Sequence, residues 1–216
     1  MDINQQFVIT ISREIGSGGR TVGRKLAEKL GVRFCDKELI SALREKFSIT
    51  ASEIEKIKGE KKSWLSDLMR SMAPVPELML VNDPNSAYLT NIRLSITTDE
   101  IFEAETEILK ELASESSCVI AGRSGFFVLK DFPNKVDIML TASREKRIAR
   151  VCAKQNLTPE KAAMIIDDVD KSRENYVKRY TGKSRYDLRN YNLVLNVDDL
   201  DEDEVVDIIL AYLKAL

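Results

Sequence analysis

A glycine-rich turn near the N-terminus carries the residue types that bind phosphate. It reads Gly16-Ser17-Gly18-Gly19-Arg20-Thr21. Three glycines within four residues permit the positive φ angles and the close approach with which consecutive backbone N–H groups surround an anion. The hydroxyl of the threonine can hold magnesium, and the arginine adds a permanent positive charge. The turn therefore predicts a phosphate site, the alternative being a tight strand-to-helix connection.

The turn departs from the phosphate-loop pattern G-x-x-x-x-G-K-[ST] at two positions. When Thr21 is aligned with the final hydroxyl residue, Glu14 stands at the first glycine and Arg20 at the lysine. Arginine grips phosphate through two parallel N–H groups, but it is bulkier than an ammonium and does not follow a moving phosphate in the same way. Phosphate binding is therefore expected, and the part of Arg20 in phosphate transfer stays open.

Other kinds of site are excluded or disfavoured by the composition. The chain has no histidine, which excludes Ser-His triads, imidazole zinc sites and imidazole acid–base catalysis. Cys35, Cys118 and Cys152 are far apart and are predicted to be small apolar core residues, without a disulfide or zinc site. Phosphoryl transfer remains possible because it depends mostly on positioning and on charge neutralisation.

The turn lies between a predicted strand, residues 7–12, and a predicted helix that begins near Val22 and ends before Gly31. Further predicted strands are residues 32–36, 118–121, 136–140 and 192–197. These are continuous apolar runs, which are typical of parallel strands buried on both faces. The sequence therefore predicts a three-layer α/β fold with a five-stranded parallel sheet between helices.

Two helical segments interrupt the alternation of strands and helices. Residues 41–95 are predicted to be an insertion of short helices, and a helix begins at Thr98 after it. Between the fourth and fifth strands, Thr158 as N-cap and Pro159 at the first helical position begin a helix that ends at Gly182.

An arginine falls within the apolar stripe of this last helix. The stripe consists of Ala162, Ile166, Val169, Arg173, Tyr176 and Tyr180. An inward-facing arginine needs an anionic partner. For Arg173 this is either a salt bridge to Asp170 or Asp167, or a phosphate that arrives with a substrate. The aspartates 167, 168 and 170 are interpreted as a solvated helix face and not as a metal site.

The charge is unevenly distributed although the net charge is only −2. Residues 144–189 hold 13 Lys/Arg against 7 Asp/Glu, whereas residues 190–216 hold one lysine against 7 acidic residues. A basic segment in a mildly acidic chain favours a compact polyanion such as a nucleotide over a long nucleic acid. Neither a signal peptide nor an apolar run of about 20 residues is found, so a cytoplasmic protein without membrane contact is expected.

Several segments together resemble the cytidylate kinase-like family of P-loop proteins, in an order that spans nearly the whole chain. They are residues 9–20, 34–40, 119–123, 170–180 and 181–183. The resemblance implies one kinase domain over residues 1–216, in which 41–95 bind the acceptor and about 152–187 form a mobile lid. It also implies ATP with Mg²⁺ as donor and a small phosphorylated acceptor such as CMP or dCMP.

The resemblance also implies roles for individual residues. The six residues from Gly16 to Thr21 would hold the ATP phosphates, with Thr21 on the metal ion. Arg147 and Arg150 would flank the donor nucleotide. Arg123 would contact the acceptor phosphate, and Asp36 and Asp170 would lie on the acceptor side. The catalytic arginines would be Arg20, Arg123 and Arg173, the last of which would close from the lid.

Alternatives stay open for parts of this assignment. Arg123 is also explained by a salt bridge at the edge of the sheet, and Asp36 by a helix cap. Ser124 stands where cytidylate kinases carry an acidic residue, so the acceptor is not fixed. A nucleotide-binding module without catalysis, or a kinase of a non-nucleotide small molecule, would fit the same pattern.

Overall fold

The computed structural model describes residues 1–36 and 98–216 of the chain. The predicted acceptor-binding insertion, residues 41–95, lies outside the described residues. The strands are β1 (Val8–Arg13), β2 (Arg33–Phe34), β3 (Cys118–Ala121), β4 (Lys135–Thr141) and β5 (Leu193–Asn196). The helices are α1 (Gly19–Leu30), α2 (Thr98–Glu115), α3 (Gly125–Val128), α4 (Arg144–Gln155), α5 (Pro159–Thr181) and α6 (Glu202–Ala215), with a 3₁₀ turn at Leu188–Asn190.

The five strands form one parallel sheet in the order β2-β3-β1-β4-β5. β1 is central, and its Ile9 lies level with Val119 of β3 and Val136 of β4. Ligands of open parallel sheets bind outside the carboxyl ends of the strands, where the connections diverge. Here the chain leaves β1 toward one side of the sheet and β3 toward the other, so the ends of these two neighbouring strands mark that place.

Helices cover both faces of the sheet, as the apolar runs predict. On one face, side chains such as Ile9, Ile11 and Leu26 pack between the sheet, α1 and α6. On the other face, Val8 and Ile120 pack against α2. Full burial of each such side chain contributes about 1.5–3 kcal/mol, so the two layers hold β1 firmly in place.

The ends of the elements follow the local signals in the sequence. Gly31 and Gly182 take left-handed conformations after α1 and α5, with φ of 67° and 68°. Thr158 accepts a hydrogen bond from the backbone N–H of Lys161, and Pro159 occupies the first position of α5. These caps confirm the predicted helix boundaries, because each satisfies backbone groups that the helix itself leaves unpaired.

Two strand predictions are wrong in detail. The second strand spans only Arg33–Phe34 and not residues 32–36, so Asp36 lies beyond its carboxyl end. The fifth strand is only half-buried and not covered on both faces, because it lies at the edge of the sheet beyond β4. An apolar run predicts a strand but does not reveal its place in the sheet.

Cys35 and Cys118 lie in the core as predicted, whereas Cys152 is only half-buried; within the described residues none of the three forms a disulfide. No helix in residues 1–36 and 98–216 has both the length and the apolarity that a membrane crossing requires.

Candidate functional site: a phosphate loop among arginines

The glycine-rich turn joins the carboxyl end of β1 to the first turn of α1. Gly16 and Gly18 take φ angles of 84° and 76°, and Gly18 is the N-cap of a helix that starts at Gly19. This cap makes no side-chain hydrogen bond, and the first turn has no acidic residue. The first N–H groups of α1 therefore point out of the helix without a capping side chain, in the geometry that binds anions.

Two side chains of the loop segment, Ser17 and Glu14, stabilise the loop by hydrogen bonds. The Ser17 hydroxyl donates to the Glu14 carbonyl oxygen at 2.9 Å. The Glu14 carboxylate turns away from the loop mouth: it accepts a hydrogen bond from the N–H of Ala142 at 3.2 Å and one from the hydroxyl of Thr141. Glu14 thus anchors the loop to the end of β4.

Arg147 supports the loop from α4. Its Nε donates to the carbonyl oxygen of Ile15 at 2.8 Å, and its Nη1 lies 3.3 Å from a carboxylate oxygen of Glu14. The loop comes so close that a Cβ on Gly16 would lie 2.8 Å from the carbonyl oxygen of Arg147. This side chain is buried against the loop, and its predicted place beside the donor nucleotide stays a prediction.

Arg150, one turn further along α4, donates to the carbonyl oxygens of Val197 and Leu200 at 2.9 and 3.1 Å. Its Nη1 is buried and makes no hydrogen bond to the described residues. In this structure Arg150 fixes the chain between β5 and α6, and its predicted contact with the nucleotide is untested.

Arg20 reaches toward the end of β2 and not over the loop. Its Nε lies 2.7 Å from a carboxylate oxygen of Asp36, which is completely buried, while the Arg20 side chain is 42% exposed. The fold thus brings two predicted site residues together. Thr21 follows in the first turn of α1, half-buried at the loop.

The segment after β3 has an unusual backbone. Gly122, Arg123 and Ser124 all have positive φ, at 85°, 61° and 53°. Two consecutive non-glycine residues in this region are strained, and such strain concentrates at functional sites. The turn aims Arg123 into the interior, where its Nη1 lies 2.8 Å from a carboxylate oxygen of Glu105 with both side chains almost fully buried.

A tyrosine completes this buried pair. The Tyr176 hydroxyl of α5 donates to the second carboxylate oxygen of Glu105. Burial, followed by the charge of Glu105, raises the pKa of Tyr176, so the hydroxyl remains a donor. The salt-bridge alternative for Arg123 is therefore realised, with a partner on α2 that the sequence does not single out. The salt bridge to Glu105 leaves Nη2 of Arg123 buried without a hydrogen bond among the described residues.

Asp170 is buried and is surrounded by arginines. The interpretation of Asp170 as part of a solvated helix face is therefore wrong. The Asp170 carboxylate pairs with Arg147, lies 3.6 Å from Nη1 of Arg173 and 3.5 Å from Nη1 of Arg185, and accepts from the N–H of Ile15 at 3.3 Å. It faces inward because α5 packs on α4 and on the loop. Asp167 is exposed and pairs with an arginine of α4 instead.

Arg13 and Arg185, which the sequence analysis did not select, join the site. Arg185, 4% exposed, and Arg173 each donate to the carbonyl oxygen of Arg13, the last residue of β1. Burial lowers the pKa of Arg13 to about 10; the charge of Asp36 opposes this effect, and nearby arginines add to it. A charged residue that ends an otherwise apolar strand was the available signal for Arg13; Arg185 had none.

Six arginines are clustered around the loop. The described guanidinium groups around the loop are those of Arg13, Arg20, Arg123, Arg147, Arg173 and Arg185. The carboxylates paired with them are those of Glu14, Asp36, Glu105 and Asp170. Two more lie nearby: Glu174 accepts from the backbone N–H of Arg185 at 3.0 Å, and Glu202 lies beside Gly18. Nη2 of Arg123 and Nη1 of Arg185 are buried without a hydrogen bond to the described residues, and such donors favour an anionic ligand at this edge of the sheet.

A magnesium ion is compatible with the loop. The described residues contain no group of three carboxylate, histidine or cysteine side chains around one point. Mg²⁺ in phosphate-transfer sites takes only one or two protein ligands and completes its shell with phosphate oxygens and water. The hydroxyl of Thr21 in the first turn of α1 fits that requirement.

Comparison with protein families gives a match over most of the chain. The model of the cytidylate kinase-like family matches residues 8–199. A cytidylate kinase of Sulfurisphaera tokodaii is 26% identical over 212 residues, which cover 96% of each chain.

Solved structures share the fold. An uncharacterized protein from Eubacterium ventriosum superposes with a TM-score of 0.69 at 22% identity, over 98% of this chain and 100% of its own. A shikimate kinase from Bacteroides thetaiotaomicron superposes with a TM-score of 0.51 at 17% identity, over 97% and 99%. The parallel sheet, its covering helices and the loop after β1 are thus those of an α/β P-loop kinase fold.

Proposed function

The chain belongs to the cytidylate kinase-like family, and from this membership we propose that it transfers the γ-phosphate of ATP to a small phosphorylated acceptor, with CMP and dCMP as the first candidates. The observation that carries the proposal is the cluster of buried arginines beside the phosphate loop, in which Nη2 of Arg123 and Nη1 of Arg185 make no hydrogen bond to the described residues. Phosphate oxygens of two phosphorylated substrates would supply acceptors for these nitrogens.

The donor occupies the loop in this proposal. Backbone N–H groups from Gly16 to Thr21 bind its phosphates, and the Thr21 hydroxyl is a ligand of Mg²⁺, which supplies charge neutralisation when bound. The loop is shaped before the donor arrives, because the φ angles of Gly16 and Gly18 and the support from Arg147 fix its backbone.

The acceptor lies toward the ends of β2 and β3. There Arg123 is held by Glu105 with a buried Nη2 still available for a phosphate oxygen. The pair formed by Arg20 and Asp36 borders the same side. Residues 41–95, the proposed acceptor-binding insertion, come after β2 in the sequence.

The proposed lid, about residues 152–187, includes α5. Arg173 and Arg185 approach the loop from this segment and both contact the backbone of Arg13. Closure over two substrates would bring Arg173 onto the transferring phosphate and exclude water, which limits hydrolysis of the donor.

A nucleotide-binding module without catalysis is the second candidate. It is favoured by the pairing of Arg20 with Asp36, since the side chain aligned with the usual lysine is occupied on the acceptor side. Such a protein would bind a nucleotide triphosphate and leave it intact.

One assay separates these possibilities. We expect ADP to form when the protein, ATP and Mg²⁺ are mixed with CMP or dCMP, and less ADP with AMP, GMP, UMP or with shikimate and gluconate. Preference for a non-nucleotide acceptor would move the assignment to another small molecule. Bound ATP that yields no ADP with any acceptor would contradict the kinase and support the binding module.

A further inference from the structure

The first residue of α1 has no room for a side chain. A Cβ on Gly19 would lie 2.6 Å from Cβ and 2.9 Å from Cγ of Arg13. The strand alternation explains this overlap: Ile9, Ile11 and Arg13 share the face of β1 on which α1 packs. The stem of Arg13 therefore fills the space into which a residue at position 19 would project.

Position 19 is also where the backbone geometry places the lysine of a phosphate loop. In the pattern G-x-x-x-x-G-K, the lysine directly follows the second glycine. Gly18 is the left-handed glycine that caps α1, and Gly19 is the next residue. Counting back from Gly18 puts Arg13 at the first glycine of the pattern. This register differs by one residue from the sequence alignment, which placed Arg20 at the lysine. It puts Arg20 at the hydroxyl position of the pattern, and Thr21, the first hydroxyl residue of α1, one residue later.

The guanidinium of Arg13 lies between the loop and the end of β3. It is so close to Gly122 that a Cβ there would overlap its Nη1. Asp36, Arg185 and Arg123 are near enough to affect its pKa. Yet within residues 1–36 and 98–216, Arg13 forms no ion pair with a carboxylate.

Resting on the proposed function, we propose that Arg13 supplies, from the end of β1, the positive charge that a lysine supplies from the start of α1 in other phosphate loops. Gly19 leaves the room for it, and Gly122 lets the guanidinium reach the phosphates between β1 and β3. Arg20, bound to Asp36, then belongs to the acceptor side.

In the transfer step an acceptor phosphate oxygen forms the new P–O bond while the bond from the γ-phosphorus to the β–γ bridging oxygen breaks. The electron pair of that bond stays on the β-phosphate. Arg13 offsets the charge that develops there and gives up no proton, since a pKa of about 10 keeps it protonated at neutral pH.

Arg13→Met is the direct test, because methionine retains the stem beside Gly19 and removes only the guanidinium. Arg24→Met, on the exposed side of α1, is the matched control. We expect Arg13→Met to weaken binding of Mg²⁺ with a non-hydrolysable ATP analogue about tenfold or more and to lower kcat about 10²-fold, as for the loss of one preorganised donor. Arg24→Met should change neither, and Arg20→Met should raise the KM of the acceptor while leaving analogue affinity intact.

A double variant, Arg13→Gly with Gly19→Lys, is a second test. It measures a gain of function and does not depend on the stability of the methionine variant. The double variant should recover analogue affinity relative to Arg13→Gly alone. Unchanged affinity in Arg13→Met, or a double variant no better than Arg13→Gly, would overturn the proposal. If the wild type transfers phosphate to no acceptor, the proposed function fails, while the binding measurements still decide the role of Arg13.

Discussion

At the scale of single residues, the site is built from arginines whose positions are fixed by partners far away in the sequence. Arg123 is the clearest case, because a buried carboxylate on α2 and a tyrosine on α5 hold it in place. Glu105 accepts from both side chains, one on each of its oxygens. We therefore regard Glu105 as a positioning residue for Arg123.

Replacement of Glu105 by glutamine tests this role. The variant leaves the Arg123 charge buried without its counter-ion, which should lower the free energy of unfolding by about 3 kcal/mol. If Arg123 binds the acceptor, the acceptor KM should rise about tenfold or more while the affinity for an ATP analogue stays the same. Chemical denaturation and steady-state kinetics measure the two effects.

Tyr176→Phe is the matched control, because it removes only the hydroxyl donor to Glu105 and should cost about 1 kcal/mol. A Glu105→Gln enzyme with an unchanged acceptor KM would restrict Glu105 to a structural role.

At the scale of elements, the phosphate loop depends on how closely α4 and α1 approach the end of β1. Glycines at 16 and 19 allow these approaches, one against the backbone of Arg147 and the other against Arg13. The two requirements differ, since Gly16 also needs its positive φ, whereas Gly19 is an ordinary helical residue. Composition shows a glycine-rich turn but not which glycine serves which purpose.

Gly16→Ala should disturb both stability and binding. Alanine at φ 84° would be strained, and its Cβ would lie 2.8 Å from the Arg147 carbonyl oxygen. We expect the free energy of unfolding to fall by at least about 2 kcal/mol and the ATP-analogue affinity to drop sharply.

Gly31→Ala provides the comparison, since Gly31 has a similar φ of 67° but nothing within 4 Å. That variant should lose about 1–2 kcal/mol of stability and bind the analogue normally. Equal binding by the two variants would mean that the backbone of the loop does not determine affinity.

At the scale of the whole molecule, the candidate site lies between the carboxyl ends of the strands and the helices α4 and α5, which pack against the loop. Asp170 connects these parts, because its single carboxylate is close to guanidiniums of α4, of α5 and of the segment after α5. When substrates bring phosphate to the loop, Arg173 can exchange a 3.6 Å pairing with Asp170 for a phosphate oxygen. This exchange would couple substrate binding to closure.

Arg173→Ala tests the coupling. Turnover should fall about 10²-fold, because a charge that stabilises the transferring phosphate is lost, whereas binding of the ATP analogue should change only about threefold. Lys171→Ala, on the exposed face of the same helix, should leave both unchanged. Thermal unfolding of each variant separates lost chemistry from lost folding, and full turnover in a folded Arg173→Ala enzyme would contradict the lid assignment.

The sequence by itself determined the local features of this protein. Apolar runs predicted the parallel sheet, and caps such as Thr158 and Gly182 predicted the helix ends, because these signals act within a few residues. The glycine turn predicted a phosphate loop, and the helical spacing predicted that Arg173 faces inward. The order of motifs predicted the cytidylate kinase-like family.

Only the tertiary structure decided which charges meet. The partners of Arg123 and Asp170 lie on other elements, so no local pattern could identify them. The interpretation of the glycine-rich turn changed most. The sequence aligned Arg20 with the lysine, whereas the packing of α1 on β1 placed Gly19 beside Arg13. That contact depends on two elements meeting in space, and spacing along a single segment does not contain it.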